Sequence, residues 1–506
     1  MRLTKTIHLT HGLLLTGLLL AFSLIFNSHA THAATITVTT TDTATSTNDA
    51  DCTLREAIEN INTQTNAVNT DCAAGDGSTD TIIIPSGNII LEADLPQITT
   101  SMTIQGAGMG QTVISGAGAW TIFGNQPAPT DSLELRDITV TAYKWFALLS
   151  YQGNLDLYRI EVDGTGASFD TGPGSFAGAI AAQNPTASPI AINMTDMYVH
   201  NITSDTQSMF GVMIMGGGNA APAEDITFVG TNITISGLTN TGAVIGMGAG
   251  SGILNAGIGA GDTTATLSNI TVTNLTSTND SSVGIAAMTL AEDKNTTLTL
   301  TNATIGNIAG TSTNFISGAA LAAVSAGGQP GSNSASNVIV SNALIFNSSS
   351  SCGLADLSHI TGGNPGVNSI TSQGGNLSDD ASCAPYFTQS SDQNNIAGLA
   401  ATLSPLADNG GNIPTMALRE NSPAVDSGVT IAGLTQDARL AARPQGSAYD
   451  SGAYESPFTK PATASLASTG QNIKLFVAAA ILLVVASGVI LTSKVLSQSH
   501  SRKSTT

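Results

Sequence analysis

The chain has 506 residues, 41% hydrophobic but only 4% aromatic and 10% charged, with 53 glycines and a formal net charge of −20. Six of its fifteen basic residues (Arg2, Lys5, Lys474, Lys494, Arg502 and Lys503) lie in the two end segments, leaving nine against 35 acidic residues, a net charge near −26 for the body. A surface this acidic repels phosphate backbones and anionic headgroups, so nucleic acid is excluded as a partner; attraction for cations is open, but acidity alone means no more than solubility.

Arg2 and Lys5 precede the apolar run GLLLTGLLLAFSLIF, and NSHATHAA follows with small residues at the spacing of a signal-peptidase site. Residues 1–33 therefore read as a signal peptide, the run being too short for a membrane anchor. DCTLREAIENINTQ (51–64) is the one stretch with helical periodicity. Thr53 and Glu56 make a capping box, and Leu54, Ala57, Ile58 and Ile61 share one face, with Arg55, Glu59 and Asn60 directed away from it. Beside a chain of strands, such a helix is expected to be a lid over the bare apolar end of a solenoid. CTLREAI (52–58) closely resembles the Cys-Ser-Leu-Arg-Glu-Ala motif of exported β-helix surface proteins, with Thr53 where Ser is usual, a change that preserves capping. DTIIIPSGNIIL (80–91) and LPQITTSMTIQGAGMGQTVISG (95–116) are similar to that family's first coils. The resemblance covers roughly 35–120 and implies a fold and an exposed location but no substrate; 35–130 are assigned as cap and first coils.

Cysteines stand at 52, 72, 352 and 383. Three pairings are possible, and the local one, Cys52–Cys72 with Cys352–Cys383, needs least rearrangement in a chain exported to oxidising conditions. Each bridge would close a loop of about 20 to 32 residues, stabilising by roughly 3 kcal/mol in the chain-entropy account.

Between 131 and 350 one pattern recurs: LELRDITVT (133–141), LDLYRIEVD (155–163), INMTDMYVH (192–200), TNITISG (231–237), LSNITVTN (267–274), LTNATIGN (300–307) and VSNALIFN (340–347). The last apolar residues of the copies are Val140, Val162, Val199, Ile235, Val272, Ile305 and Ile345, at steps of 22, 37, 36, 37, 33 and 40. Second apolar segments such as FAGAIAA (176–182), MFGVMIMG (209–216) and GAVIGMGAG (242–250) fall between the copies. Period-two alternation with β-branched residues and no crossover helix predicts an all-β fold, a right-handed parallel β-helix of the pectin-lyase type with an N-terminal capping helix. The polar position inside the motif is filled by Asp137, Arg159, Asp196, Asn232, Asn269, Asn302 and Asn342. These read as a ladder at a bend, where amides hydrogen-bond along the axis and tolerate unusual backbone angles. Sequons such as NMT and NIT are read as ladder chemistry and not as glycosylation sites.

LSPLADNGGNIPTMALRENSPAVDSG (403–428) with QDARLAARPQGSAYDSGAYE (436–455) resembles the choice-of-anchor Q domain, so 351–455 are assigned as a C-terminal module and 456–465 as a linker. That family's Asp-x-Arg-Gly becomes Asp437-Ala438-Arg439-Leu440, without the turn glycine. Asp426, Asp437, Asp450 and Glu455 could hold a cation, but internal pairing with Arg439 and Arg443 is the expectation. LASTG (Leu466, Ala467, Ser468, Thr469, Gly470), the apolar span 475–492 and a basic tail together resemble a sortase sorting signal of the Leu-Ala-x-Thr-Gly type, here 466–506. The resemblance implies a transpeptidase partner, cleavage after Thr469 and joining to the envelope; without cleavage the span would remain a membrane anchor, and either way the body faces outward.

Pectin-degrading enzymes share this scaffold, so catalysis must be judged by residues. The chain has neither Gly-His-Gly nor Arg-x-Lys, and no nucleophile elbow. Arg136 and Arg159, one repeat apart among Glu134, Asp137, Asp156 and Asp163, are the best enzymatic candidate, read here as a surface ion-pair cluster. His200 and His359 are too few for a histidine metal site, and no cofactor is implied. The expectation is a non-catalytic surface protein for adhesion or cell-surface interaction, engaging an extracellular glycan or protein; the alternative is a surface-tethered polysaccharide lyase or hydrolase.

Overall fold

The computed structural model describes residues 33–41, 49–67, 69–77, 79–128, 130–170, 175–217, 224–251, 260–312, 316–326, 334–358 and 365–460. The signal peptide through residue 32, the sorting signal Leu466–Gly470 and the span 475–492 lie outside the described residues, among which no helix is long and apolar enough to cross a membrane. The chain divides into two compact units, residues 1–459 and 460–506, and the cap, coils and C-terminal module all belong to the first.

Among the described residues the strands form two sheets, of 15 and eight strands, and the chain alternates between them. The larger runs from Thr35–Thr37 through Asp80–Ile83, Met102–Gln105, Ser132–Thr141, Asn154–Asp163, Ile190–Ser204, Ile226–Asn240, Thr263–Ser277 and Asn295–Ala309 to Ala335–Ser341 and Val367–Gly374. Neighbouring strands pair in parallel, as a β-helix requires, and the architecture agrees with the right-handed coil expected. The motif copies stack in register: Val140 pairs with Val162, then Val199, Ile235, Val272, Ile305 and Ile345 in turn.

The 15-residue strands bend without breaking, and their apolar pattern shows how. In Ile226–Asn240 the buried side chains are Ile226 and Phe228, then Ile233 and Ile235, then Leu238. The parity of the inward positions switches twice, and a residue with positive φ sits at each switch, Asn232 (54°) and Gly237 (66°). One left-handed residue turns the strand and returns the next apolar side chains to the interior, where each is worth roughly 1.5–3 kcal/mol. Asn tolerates that conformation because its short polar side chain bonds locally.

The second sheet, which includes Phe176–Asn184, Ser208–Gly216, Ala243–Ser251 and Ser282–Thr289, does not alternate. Ser282–Thr289 is buried throughout. Met213, Met288, Ala286 and Val324 pack on one side of this sheet, while Val212, Met247, Ile285 and Leu321 join the central core on the other. Burial on both faces is why these strands read as unbroken apolar runs.

The helix Leu54–Thr63 starts at Thr53, whose Oγ1 accepts from the Glu56 amide (3.2 Å), while Glu56 Oε2 accepts from the Thr53 amide (3.0 Å). Leu54, Ala57, Ile58 and Ile61 enter the same core as Ile36, Ile82 and Ile89, so the helix closes the first coil. Asn60 corrects the sequence expectation: it is buried, because its amide donates to the carbonyls of Asn69, Cys72 and Ala73 and pins the following loop. Disulfides join Cys52 to Cys72 and Cys352 to Cys383.

Replacing Cys52 and Cys72 together by Ala is expected to lower stability by about 3 kcal/mol, read as a shifted urea midpoint, with limited proteolysis reaching residues 50–75 first. An unchanged midpoint would show that the helix docks without its staple.

Candidate functional site

All seven ladder positions have positive φ: Asp137, Arg159, Asp196, Asn232, Asn269, Asn302 and Asn342 lie between 52° and 61°. Their side chains bond along the axis in three runs, 137–159, 196–232–269 and 302–342. Arg159 grips Asp137 through Nε (2.5 Å) and Nη2 (2.7 Å). Asn232 donates to Asp196 (2.8 Å), Asn269 to Asn232 (3.1 Å) and Asn342 to Asn302 (2.8 Å). The sequence reading missed a second ladder at the other bend, where Asn307 donates to Asn274 (3.0 Å) and Asn347 to Asn307 (2.6 Å), beside a shallow groove. The signal was present: the apolar parity switches again between Val272 and Leu275.

The C-terminal module lies along the first ladder. Asn412 donates to Asp196 (2.7 Å), Thr234 to the Pro414 carbonyl (2.8 Å) and Asn269 to the Gln436 carbonyl (3.1 Å). Asn342 exchanges two bonds with the Val429 backbone, and the Ala453 amide donates to Thr304 (2.9 Å). Stacked amides with spare donors and acceptors at the first bend thus become a docking strip.

At the tip of this strap the ionisable residues begin. The positions flanking the stacked apolar residues are Thr234 and Ser236, Thr271 and Thr273 in covered coils, but Glu161 and Asp163, then Tyr198 and His200, in earlier ones. Comparing these columns among the motif copies would have singled them out. His200 Nε2 lies 3.0 Å from Glu161 Oε1 and Nδ1 3.8 Å from Asp163, and its ring stacks on Tyr198 at 4.0 Å. Thr139 donates to the other Glu161 oxygen (2.7 Å). The hydrogen bond with His200 holds the Glu161 carboxyl below its ordinary range against the opposing effect of burial. Burial pushes Tyr198 up. Glu161 and Tyr198 line a cleft of about 260 Å³ closed by Asp408 and Gly411–Pro414 of the strap tip.

Arg136 pairs with Glu134, and Arg159, already bound to Asp137, lies over the Tyr158 ring at 4.2 Å. Both arginines are engaged by neighbouring carboxylates of their own cluster. Asp156 accepts from Asn193 (2.7 Å) and stays outside that group.

The C-terminal carboxylates meet arginines and backbone amides. Asp437 binds Arg439 (2.6 Å), and Glu455 binds Arg443 (2.8 Å), both side chains of the second pair being fully buried. Burial pushes Glu455 up and Arg443 down, and the opposite charge pulls each back. Asp450 accepts from the amides of Asp426 and Ser456, and Asp426 from that of Ala448. Among the described residues no group of three His, Cys, Asp or Glu is placed to hold a metal ion. Leu440 occupies the position of the absent turn glycine at φ 67°, half exposed.

Replacing Asn269 by Ala is expected to cost about 2–4 kcal/mol, from strain at the left-handed bend and from two lost bonds, and Gly at that position should recover the strain part, about 1–2 kcal/mol. Leu440→Gly should raise stability by up to about 1 kcal/mol. Because the Glu161 carboxyl is depressed when folded, its stabilisation is complete above the ordinary carboxylate range and disappears as pH falls through the depressed value. Glu161→Gln should flatten that acid limb of a urea-midpoint profile; an unaltered limb would show that the His200 bond contributes nothing.

No family model matches the chain, and no curated protein matches it. Among solved structures it has a slight likeness to the A-module of the mannuronan C-5 epimerase AlgE4 of Azotobacter vinelandii, at 10% identity over 58% of this chain and 89% of that one, with a TM-score of 0.15, too low to bear on activity.

Proposed function

We propose that the chain is an exported surface protein, held to the cell envelope by its C-terminal end, whose non-catalytic β-helix presents one side to an extracellular glycan or protein. The observation that carries this reading is the pair of disulfides, one at the capped first coil and one at the last coils, Cys352–Cys383. Such staples persist in oxidising surroundings. The likenesses of CTLREAI to an exported family, and of LASTG with its apolar span to a sorting signal, support the same location. In that account a transpeptidase thiol adds to the Thr469 carbonyl and the Thr469–Gly470 bond breaks. Gly470 then leaves as a protonated amine, and an envelope amine displaces the thiol to form a new amide.

The cleft beside Glu161, Tyr198 and His200 favours a second reading, a polysaccharide lyase or hydrolase tethered at the surface. Incubating the full chain with a panel of polysaccharides separates the two: the first reading expects binding without shortening, whereas chain cleavage abolished by Glu161→Gln would establish the second. Envelope-bound protein should yield a C-terminal peptide ending at Thr469 and carrying an envelope-derived amine by mass spectrometry. Protein retaining 470–506 and fully extracted by detergent would refute covalent anchoring.

A further inference from the structure

Thr35–Thr37 is the edge strand of the larger sheet, and Ala34 just before it has both backbone groups engaged. Its carbonyl accepts from the Thr81 amide (2.8 Å), and its nitrogen donates to Asp80 Oδ1 (2.8 Å), whereas Ala33 is exposed. Asp80 is fully buried. Its second oxygen accepts from the Asp76 amide (3.2 Å). Gly75 lets the loop close over that oxygen, since a Cβ there would stand 2.8 Å from it and 3.0 Å from Cα of Ile61. The carboxylate is thus sealed between the first strand, the loop after Cys72 and the capping helix.

Sealing a charge in this way is costly unless an opposite charge meets it. Among the described residues no Lys, Arg or His forms an ion pair with Asp80. Burial pushes its carboxyl up, and Asp76 beside it adds to the push. A cation becomes available if the chain is cut at Ala34. In NSHATHAA two bonds have small residues one and three places before them, Ala30–Thr31 and Ala33–Ala34. Hydrolysis of the second turns the nitrogen that already lies 2.8 Å from Asp80 into an α-ammonium without displacing it. A cut at the first would leave the ammonium on Thr31, beyond the residue that meets the carboxylate.

We propose that export cuts Ala33–Ala34 and that the ammonium freed there binds the buried carboxylate of Asp80, so that processing itself fastens the first strand to the cap. The proposal rests on the export reading above and adds to it what the new terminus binds. Water adds to the Ala33 carbonyl, the C–N bond to Ala34 breaks, the leader departs as a carboxylate and the Ala34 nitrogen leaves protonated. The resulting charge-assisted bond is roughly twice as strong as a neutral one, and it holds the strand whose Ile36 fills the first coil. The full chain on intact exporting cells, acylated at pH 7 and mapped by mass spectrometry, should give an N-terminal peptide beginning at Ala34. A pKa raised by about one unit leaves about a tenth of the free amine, so the Ala34 amine should react about tenfold more slowly, relative to Lys294 of the same chain, than in Asp80→Asn. A Gly-Ser insertion between Ala33 and Ala34 leaves Asp80 its amide donor but moves the amine away; it should react at the fast rate, and it carries the test if Asp80→Asn does not fold. A peptide retaining residues 1–33 would overturn the export reading together with the proposal, and one beginning at Thr31 would overturn the proposal alone. An Ala34 amine as reactive as that of either variant would show that the carboxylate does not hold it.

Discussion

Each 15-residue strand of the larger sheet must carry its apolar side chains around two bends without turning them out into water. A regular strand cannot do this, because alternation has period two and a bend that keeps the phase would expose the next Ile or Val. The chain's answer is one left-handed residue at each bend, Asn232 or Asn269 at the first and Asn201 or Asn274 at the second. Since each coil bends at the same register position, these residues stack, and parallel pairing sets their amides within hydrogen-bond reach of one another.

The stacking has consequences away from the bends. An interior amide of a ladder has more donors and acceptors than its two neighbours use, and burial makes the remainder costly to leave unpaired. At Asn342 the Val429 backbone supplies both a donor and an acceptor, and at Asn269 the Gln436 carbonyl takes the amide donor. The module therefore follows the ladder, and its other contacts, Thr234 with Pro414 and Thr304 with Ala453, fall on the same line. Where the strap ends, Thr and Ser give way to Glu161, Asp163, Tyr198 and His200. The strap tip meets this group through Asn412, which donates to Asp196, and Ile413, which packs against Tyr198.

The two outer faces of these strands are filled differently. The face after the bend is partly built over and ends in a charged cleft; the face before it carries rows of Thr, Ser and Val beside Asp225 and Asp262. Both are products of one repeat, because the residues between the inward positions are free of the core and each column can be filled independently. The helix Leu54–Thr63 and the two disulfides protect the ends of this arrangement, where an open coil would offer unpaired strand edges.

Much of this was legible in the residues themselves. The seven motif copies pair in the same register in space, since the inward Ile and Val are fixed by the requirement to fill the core, and the bend residues betray themselves by tolerating left-handed backbone. The capping box of Thr53 and Glu56 is local chemistry and was equally visible. The burial of Asn60 was not, because its partners are carbonyls of a loop whose path depends on the Cys52–Cys72 bridge. Nor did any periodicity mark the line taken by residues 407–456: a segment with little regular structure is positioned by what it meets, here the spare bonds of the ladder. The sequence by itself determined the coil and its bends, which follow from side-chain parity along one strand. Only the tertiary structure decided which outer columns are covered and which stay open, because that depends on contacts between residues as far apart as Asp196 and Asn412, for which no local pattern exists.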